Sequence, residues 1–338
     1  MRIAIANDNK ENVIILQNII ENVIDYEVAW TAFDGAEAVK KCENDTPDLI
    51  LMDMIMPVVD GVAACRTIMQ NTPCAIIIVT SSVTGNAAMI FEAMGYGALD
   101  VVKTPFTGTD TSPRETDDLV RKIKIAASLI ASAPDKKNLC SDNNTSINGK
   151  DKQLVVIGAS TGGPGVLATI LGSIPADFPV PIIIVQHVDS CFTESFASWL
   201  NKQSELEVKI ARKGDIPKAG LVLVAGESDH LIMLDGGQLS YDSEPKELVY
   251  KPSVNVFFNS VAKHWGGSII ASLLTGMGKD GAEGLANIRN VGGSTMTQTK
   301  ETCAVYGMPK AADDIGASMQ SLPPNEIAAA ILKITDRK

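Results

Sequence analysis

Short apolar runs of strand length recur along the chain, separated by longer stretches whose apolar residues fall at helical spacing. Over residues 1–125 the β-like runs are Ile3–Ala6, Glu27–Thr31, Leu49–Met52, Ile76–Thr80 and Asp100–Val102. Between them lie helix-like stretches at Lys10–Ile24, Gly35–Asn44, Gly61–Asn71 and Ala87–Met94. Such alternation predicts a parallel sheet covered by helices on both faces. From Ala126 to Asp151 the apolar period disappears into polar, Gly- and Pro-punctuated sequence, which predicts a linker. A second alternating series follows, with strands expected at Leu154–Ile157, Pro181–Gln186, Glu207–Ile210, Leu221–Ala225, Leu231–Leu234 and Ser268–Leu274. Its helices are expected at Gly165–Leu171, Phe192–Gln203, Val254–Lys263 and Ala282–Asn290. The expected fold class is therefore α/β, two doubly wound parallel-sheet domains over residues 1–125 and 152–338 joined by a linker over 126–151.

Length and charge agree with that division. A chain of 338 residues exceeds what one hydrophobic core usually organises. The net charge of −11 opposes nonspecific binding to nucleic acid or to an anionic membrane surface. The longest apolar runs, such as Ile76–Val79 and Ile182–Val185, fall far short of the ~20 residues of a membrane helix. The N-terminal Met-Arg-Ile-Ala-Ile-Ala-Asn-Asp reads as a strand running into an acidic turn rather than as a signal peptide, so a cytoplasmic location is expected. The cysteines Cys42, Cys65, Cys74, Cys140, Cys191 and Cys303 form no C-x-x-C pair and sit mostly in apolar neighbourhoods, which predicts free buried thiols.

In a parallel sheet the loops leaving the strand C-termini form the ligand crevice. In the first domain those loops carry Asn7-Asp8, Asp53, Thr80-Ser81 and Lys103. Carboxylates converging from the first and third strands, Asp8 and Asp53, suit a hard cation such as Mg²⁺, which offsets charge on a phosphate carried by Asp53. The run Leu49-Ile-Leu-Met-Asp53-Met-Ile-Met-Pro57-Val-Val-Asp60-Gly61 resembles the phosphoacceptor strand and turn of two-component receiver domains, with a flavodoxin-like fold. The resemblance implies phosphorylation at Asp53, a switch hydroxyl at Thr80 or Ser81, and a conserved-type lysine at Lys103. Two positions depart from the receiver pattern: Asn7 stands where the first of two adjacent acids is usual, and Lys103 is separated from Pro105 by Thr104.

The second domain opens with a strand leading into Gly158-Ala159-Ser160-Thr161-Gly162-Gly163-Pro164 and then a helix. A tight turn at a helix N-terminus exposes backbone N–H groups and favours negative charge, so Ser160 has the setting of an acyl-transfer nucleophile. Neither the Gly-x-Gly-x-x-Gly spacing nor a Gly-Lys-Ser/Thr ending is present, which argues against a nucleotide site. Three histidines are candidate bases: His187 at the end of the strand Pro181–Gln186, His230 in a turn, and His264 at a helix end. His187 is favoured by its strand-end position, while His230 and His264 read as structural. Asp280, in Thr275-Gly-Met-Gly-Lys-Asp280-Gly281 after another strand, can orient the histidine.

Together with Gln186-His187, Lys251-Pro-Ser253-Val254-Asn255 and Tyr306-Gly-Met-Pro309, these motifs resemble the Rossmann-like catalytic domain of the chemotaxis protein-glutamate methylesterases. The resemblance spans residues 152–336 and implies a catalytic triad of Ser160, His187 and Asp280, with oxyanion donors at the backbone of Thr161 and Met277. No cofactor is expected in this domain. The implied substrates are glutamyl methyl esters on methyl-accepting chemoreceptor helices, with deamidation of glutamines as a companion activity. The implied partner is a chemotaxis-type histidine kinase, and the unmodified receiver is expected to cover the catalytic cleft until Asp53 is phosphorylated. Phrases such as Phe91-Glu-Ala-Met-Gly-Tyr-Gly-Ala-Leu-Asp100 resemble the surface-sensing, Wsp-type branch. After the candidate base the family commonly has Met-Pro, whereas this chain has Val188-Asp189, which adds charge near the cleft. A non-catalytic signalling scaffold on the same two domains is the alternative from another class. A transcriptional regulator is disfavoured by the lack of a basic helix-turn-helix pattern.

Overall fold

The computed structural model describes residues 1–23, 25–81, 86–105, 113–130, 152–248 and 250–336. The chain divides into two compact units, Met1–Asn138 and Leu139–Lys338. Cys140 and most of the expected linker lie outside the described residues.

The first unit is a five-stranded parallel sheet in the order β2-β1-β3-β4-β5, built from β1 (Arg2–Ala6), β2 (Glu27–Ala32), β3 (Leu49–Met52), β4 (Ala75–Thr80) and β5 (Asp100–Lys103). This is the flavodoxin-like order, whose crevice lies at the reversal between β1 and β3. All four residues of β3 are buried, as an apolar strand covered on both faces must be. Helices α1 (Lys10–Glu21), α2 (Gly35–Asn44), α3 (Gly61–Asn71), α4 (Ala87–Gly95) and α5 (Pro113–Ile130) connect and follow the strands. Side chains set several starts: Asn9, Asp34 and Asp60 cap α1, α2 and α3 by accepting backbone N–H groups of the first turn. Helix α5 continues to Ile130, past the point where composition placed the linker, because Ile123 and Ala126 still pack against the sheet core.

The second unit carries a seven-stranded parallel sheet in the order β14-β13-β12-β6-β7-β9-β8. Its strands are β6 (Gln153–Ala159), β7 (Ile182–Gln186), β8 (Glu207–Ile210), β9 (Leu221–Val224), β12 (Ser268–Leu273), β13 (Ser294–Gln298) and β14 (Gln320–Leu322). The expected strand at Leu231–Leu234 is not part of this sheet. It is β10 (His230–Met233), paired antiparallel with β11 (Leu239–Asp242) in a separate hairpin. The difference follows from the tight turn at Asp235–Gly237, which reverses the chain with two left-handed glycines. Helices α6 (Gly163–Leu171), α7 (Thr193–Gln203), α8 (Val254–His264), α9 (Ala282–Asn290), α10 (Met308–Asp314) and α11 (Pro324–Thr335) accompany the sheet. Strand β6 lies centrally between β12 and β7, and the sheet order reverses there, so ligands are directed to its C-terminal end.

Candidate active site

Ser160 and His187 are the residues that follow β6 and β7, two adjacent strands whose last paired positions are Ala159 and Gln186. The strands therefore deliver nucleophile and base side by side, and the His187 N–H donates to Ala159 O at 3.0 Å. The buried Gln186 carboxamide secures this pairing, since Nε2 donates to Ser160 O at 2.8 Å and to His187 O at 3.0 Å. Asp280 arrives from the other side of β6, in the loop after β12. Its Oδ2 accepts from His187 Nε2 at 2.8 Å. The opposite ring nitrogen of His187, Nδ1, is buried and has no hydrogen-bond partner. With the proton on Nε2, Nδ1 holds a free lone pair, as a general base requires.

Asp280 is held by more than the histidine. Oδ1 accepts from Ser253 Oγ at 2.7 Å and from the Asn255 N–H at 3.0 Å, while Oδ2 also accepts from the Val254 N–H at 2.7 Å. The carboxylate thus sits on the N-terminus of α8, where free N–H groups favour an anion. Burial alone would raise its pKa, but the hydrogen bond and charge of His187, with the bonds from Ser253 and Asn255, outweigh it and hold Asp280 below the ordinary carboxylate value. A depressed pKa contributes stability above the unfolded value that is lost as pH falls through the folded one. The ring of Tyr250 stacks on His187 with centroids 4.4 Å apart and an interplanar angle of 5°.

The two loops that flank Ser160 are tied together. Ser160 N–H donates to Thr275 O at 3.0 Å, and Thr275 Oγ1 donates to Thr161 O at 3.0 Å. Gly162 adopts φ +76, a left-handed turn, with no room for a side chain against Ala304. At Gly276 a Cβ would lie 2.7 Å from Ser160 Cβ, so only glycine lets that loop approach the nucleophile. Thr161 is buried, and the backbone N–H of Met277 makes no hydrogen bond among the described residues. The structure thus brings Ser160, Thr161, His187, Met277 and Asp280 to one sheet edge. His264 ends α8 and pairs with Asp235, and Asp189 caps a short 3-10 turn through Cys191 N. Cys42 and Cys65 are buried free thiols as expected, but Cys191 is exposed, because its neighbours on that turn leave the sheet for the surface.

In the first unit, Asp53 follows β3 and Asp8 follows β1. Asn7 is buried, and its orientation is fixed at both ends: Oδ1 accepts from the Asn9 N–H at 2.9 Å, so Nδ2 donates to Asp53 Oδ2 at 3.0 Å. Burial, joined by the charge of Asp8 against two backbone hydrogen bonds, raises the Asp53 pKa to about 6. Thr80 ends β4 and is buried, whereas Ser81 is exposed. Lys103 pairs with Thr80 in register, but its ammonium reaches Glu115 of α5 at 3.4 Å and its side chain is 47% exposed. Among the described residues no group of three or more His, Cys, Asp and Glu side chains surrounds a metal-sized space. Asp8 and Asp53 nevertheless provide the hard oxygen donors that a divalent cation takes, while Asn7 turns a donor nitrogen towards Asp53 where the receiver pattern has a further acid.

A raised Asp53 pKa has a measurable consequence. Burial disfavours the ionised carboxylate, so in the metal-free protein Asp53 is expected to titrate at about 6. A carboxylate NMR titration reads this directly; a midpoint at about 4, the ordinary carboxylate value, would contradict it. The folded state holds this proton more tightly than the unfolded chain, so the associated stability is present at low pH and lost as pH rises through about 6. Asp53→Asn should then raise stability at pH 8 by on the order of 2 kcal/mol in urea unfolding.

An acidic phosphoacceptor-type pocket on one unit and a serine, histidine and aspartate gathered on the other define the class, a receiver joined to a serine-hydrolase domain. Comparison with known proteins agrees. The CheB methylesterase family matches residues 155–331 and the response regulator receiver domain matches residues 3–111. A protein-glutamate methylesterase/protein-glutamine glutaminase of Bordetella avium is 47% identical over 336 residues, covering 99% of this chain and 97% of that protein. A protein of the same description from Mesorhizobium japonicum is 44% identical over 339 residues, covering 100% and 99%. The crystal structure of the Thermotoga maritima CheB methylesterase catalytic domain matches with a TM-score of 0.52 and 37% identity, over 56% of this chain and 100% of that one. The chain belongs to the CheB methylesterase family, in the form that carries a receiver domain ahead of the catalytic domain.

Several residues of the site were not assigned a role by sequence. Gln186, Ser253, Thr275 and Tyr250 lay within or beside the quoted motifs, but their contacts depend on which strands adjoin. The available signal was that Gln186 adjoins His187 and Thr275 opens the loop that carries Asp280; nothing of the kind marks Tyr250 or Ser253, which lie in a segment remote from all three.

Proposed function

We propose that the protein hydrolyses glutamyl methyl esters on the cytoplasmic helices of methyl-accepting chemoreceptors, with Ser160, His187 and Asp280 as the catalytic triad. The observation that carries the reading is the imidazole of His187, oriented at Nε2 by Asp280 and without a hydrogen-bond partner at the buried Nδ1, at the end of the strand adjacent to the one that Ser160 follows. Ser160 Oγ attacks the ester carbonyl and its proton passes to Nδ1. Asp280 stabilises the imidazolium that forms. The tetrahedral oxyanion is received by the backbone N–H groups of Thr161 and Met277. His187 then returns the proton to the leaving methoxide, methanol departs, and water hydrolyses the acyl-serine with His187 again as base. Glutamine deamidation follows the same course with ammonia as the leaving group.

The receiver regulates this activity through phosphorylation of Asp53 by a chemotaxis-type histidine kinase, with Thr80 or Ser81 as the switch hydroxyl and Lys103 as its companion. Mg²⁺, held by Asp8 and Asp53, would offset the charge of the phosphoryl oxygens. Asn7 supplies no oxygen to it in the orientation fixed by Asn9. No described helix is long and apolar enough to cross a membrane. The surface-sensing branch stays attached to this reading through the motif around Phe91–Asp100. The test is incubation of the full chain with methylated receptor: methanol release in step with loss of methyl label is expected, and methyl label retained at micromolar enzyme would refute the reading.

A further inference from the structure

We infer that His230 is a positioning residue for ester hydrolysis: its imidazole fixes the backbone of Ser253, and through that segment the carboxylate of Asp280. The inference rests on the triad reading above and extends it one layer outward.

His230 begins β10 and is fully buried. Its Nδ1 accepts the backbone N–H of Ser253 at 3.0 Å, and its Nε2 contacts Pro245 O at 3.2 Å. A backbone N–H can only donate and a carbonyl can only accept, so the partners dictate the tautomer: Nδ1 carries a lone pair and Nε2 carries the proton. This is a neutral imidazole with both nitrogens committed.

What it holds is the start of α8. Ser253 is the N-cap, and an N-cap N–H has no partner within its own helix. Ser253 is itself buried, so without His230 that N–H would be left without an acceptor. The same residue turns its Oγ to Asp280 at 2.7 Å, and the next two N–H groups, of Val254 and Asn255, also bind Asp280. Three of the four donors to Asp280 thus come from the segment whose entry point His230 fixes, and the fourth is His187 itself. A buried imidazole with its acceptor on the N-cap fixes where the carboxylate sits. His230 makes its hydrogen bonds to Ser253 and Pro245 and none to Ser160 or His187 among the described residues, so its effect reaches the reaction through Asp280.

Three variants of the full chain test this on methylated receptor. His230→Asn places a carboxamide oxygen near the position of Nδ1 and restores the acceptor for Ser253. His230→Gln places its amide near Nε2 and serves only Pro245, and His230→Leu serves neither. Misplacing a group by about 1 Å costs on the order of 100-fold, so kcat per folded molecule is expected to fall ~100-fold in the Gln and Leu variants and less than ~10-fold in Asn. KM should stay within about twofold throughout, because no substrate contact is altered. A folded Leu variant with wild-type kcat overturns the inference, as does a Gln variant equal to or better than Asn; if Leu does not fold, the Asn and Gln order decides. Ser160→Ala in the same assay separates the two levels: retained activity there refutes the triad itself, whereas its loss beside unaffected His230 variants refutes only the role of His230.

Discussion

Replacing Ser160 with alanine is expected to lower kcat for methyl-ester hydrolysis by about 10⁵- to 10⁶-fold, with substrate still bound. The magnitude follows from what the serine alone supplies. Without Oγ no acyl intermediate forms, and water must attack directly with whatever help the oxyanion donors give. The fold should be unaffected, since the backbone of Ser160 makes the structural contacts: N–H to Thr275 O, and O to Gln186 and to the Gly163 N–H. Initial rates of methanol release, with a thermal melt on the same sample, check the prediction. A loss below 100-fold would point to another nucleophile.

The second large effect is expected at Asp280→Asn, a loss of about 10⁴-fold in kcat. All four partners of Asp280 present hydrogen to it: His187 Nε2–H, Ser253 Oγ–H, and the N–H groups of Val254 and Asn255. An asparagine has one acceptor oxygen and a nitrogen that also donates. Whichever way it turns, its NH₂ group meets a backbone N–H. If the nitrogen faces His187, the ring satisfies it only by accepting at Nε2, which moves the proton to Nδ1 and removes the lone pair that the proposed mechanism needs for Ser160. The donors left facing each other also cost stability, ~1–3 kcal/mol, which urea unfolding reads. A kcat within tenfold of wild type would mean that Asp280 does not set the tautomer of His187.

Much of this was legible in the chain because parallel-sheet proteins place chemistry at strand ends, and strand ends are marked by where apolar runs stop. Asp53, Ser160 and His187 each follow such a run directly, so position and residue type together identify them. Helices α2, α3 and α9 begin and end where the sequence predicts, the first two because an aspartate cap precedes a clear period. Strands β13 and β14 and the hairpin partner β11 were not foreseen. The threonine-rich run Ser294–Gln298 is polar by residue type yet fully buried, since its hydroxyls and carboxamide find partners only in the folded sheet, Thr295 with Ala317 O and Gln298 with the Thr275 N–H. The support of Asp280 was illegible for the same reason. Residues 230, 253 and 280 lie far apart along the chain, and each is ordinary in its own context: a strand residue, a helix cap and a turn acid. Only the docking of α8 beneath the β12 loop turns them into one hydrogen-bonded line.

The receiver shows a different limit. Its pattern is explicit at Asp53, but what Asn7 does there depends on which way an amide faces, and the Asn9 N–H decides that. Lys103 likewise keeps its register beside Thr80 while its ammonium goes to Glu115.

The most direct test of the account is to trap the acyl-transfer step on the protein. The full chain is treated with a serine-directed fluorophosphonate, digested, and the modified peptide identified by mass. A single stoichiometric adduct is expected on the peptide containing Ser160, absent in Ser160→Ala and slowed in His187→Ala, with methanol release lost in proportion to labelling. An enzyme that still releases methanol with Ser160 fully labelled would contradict it.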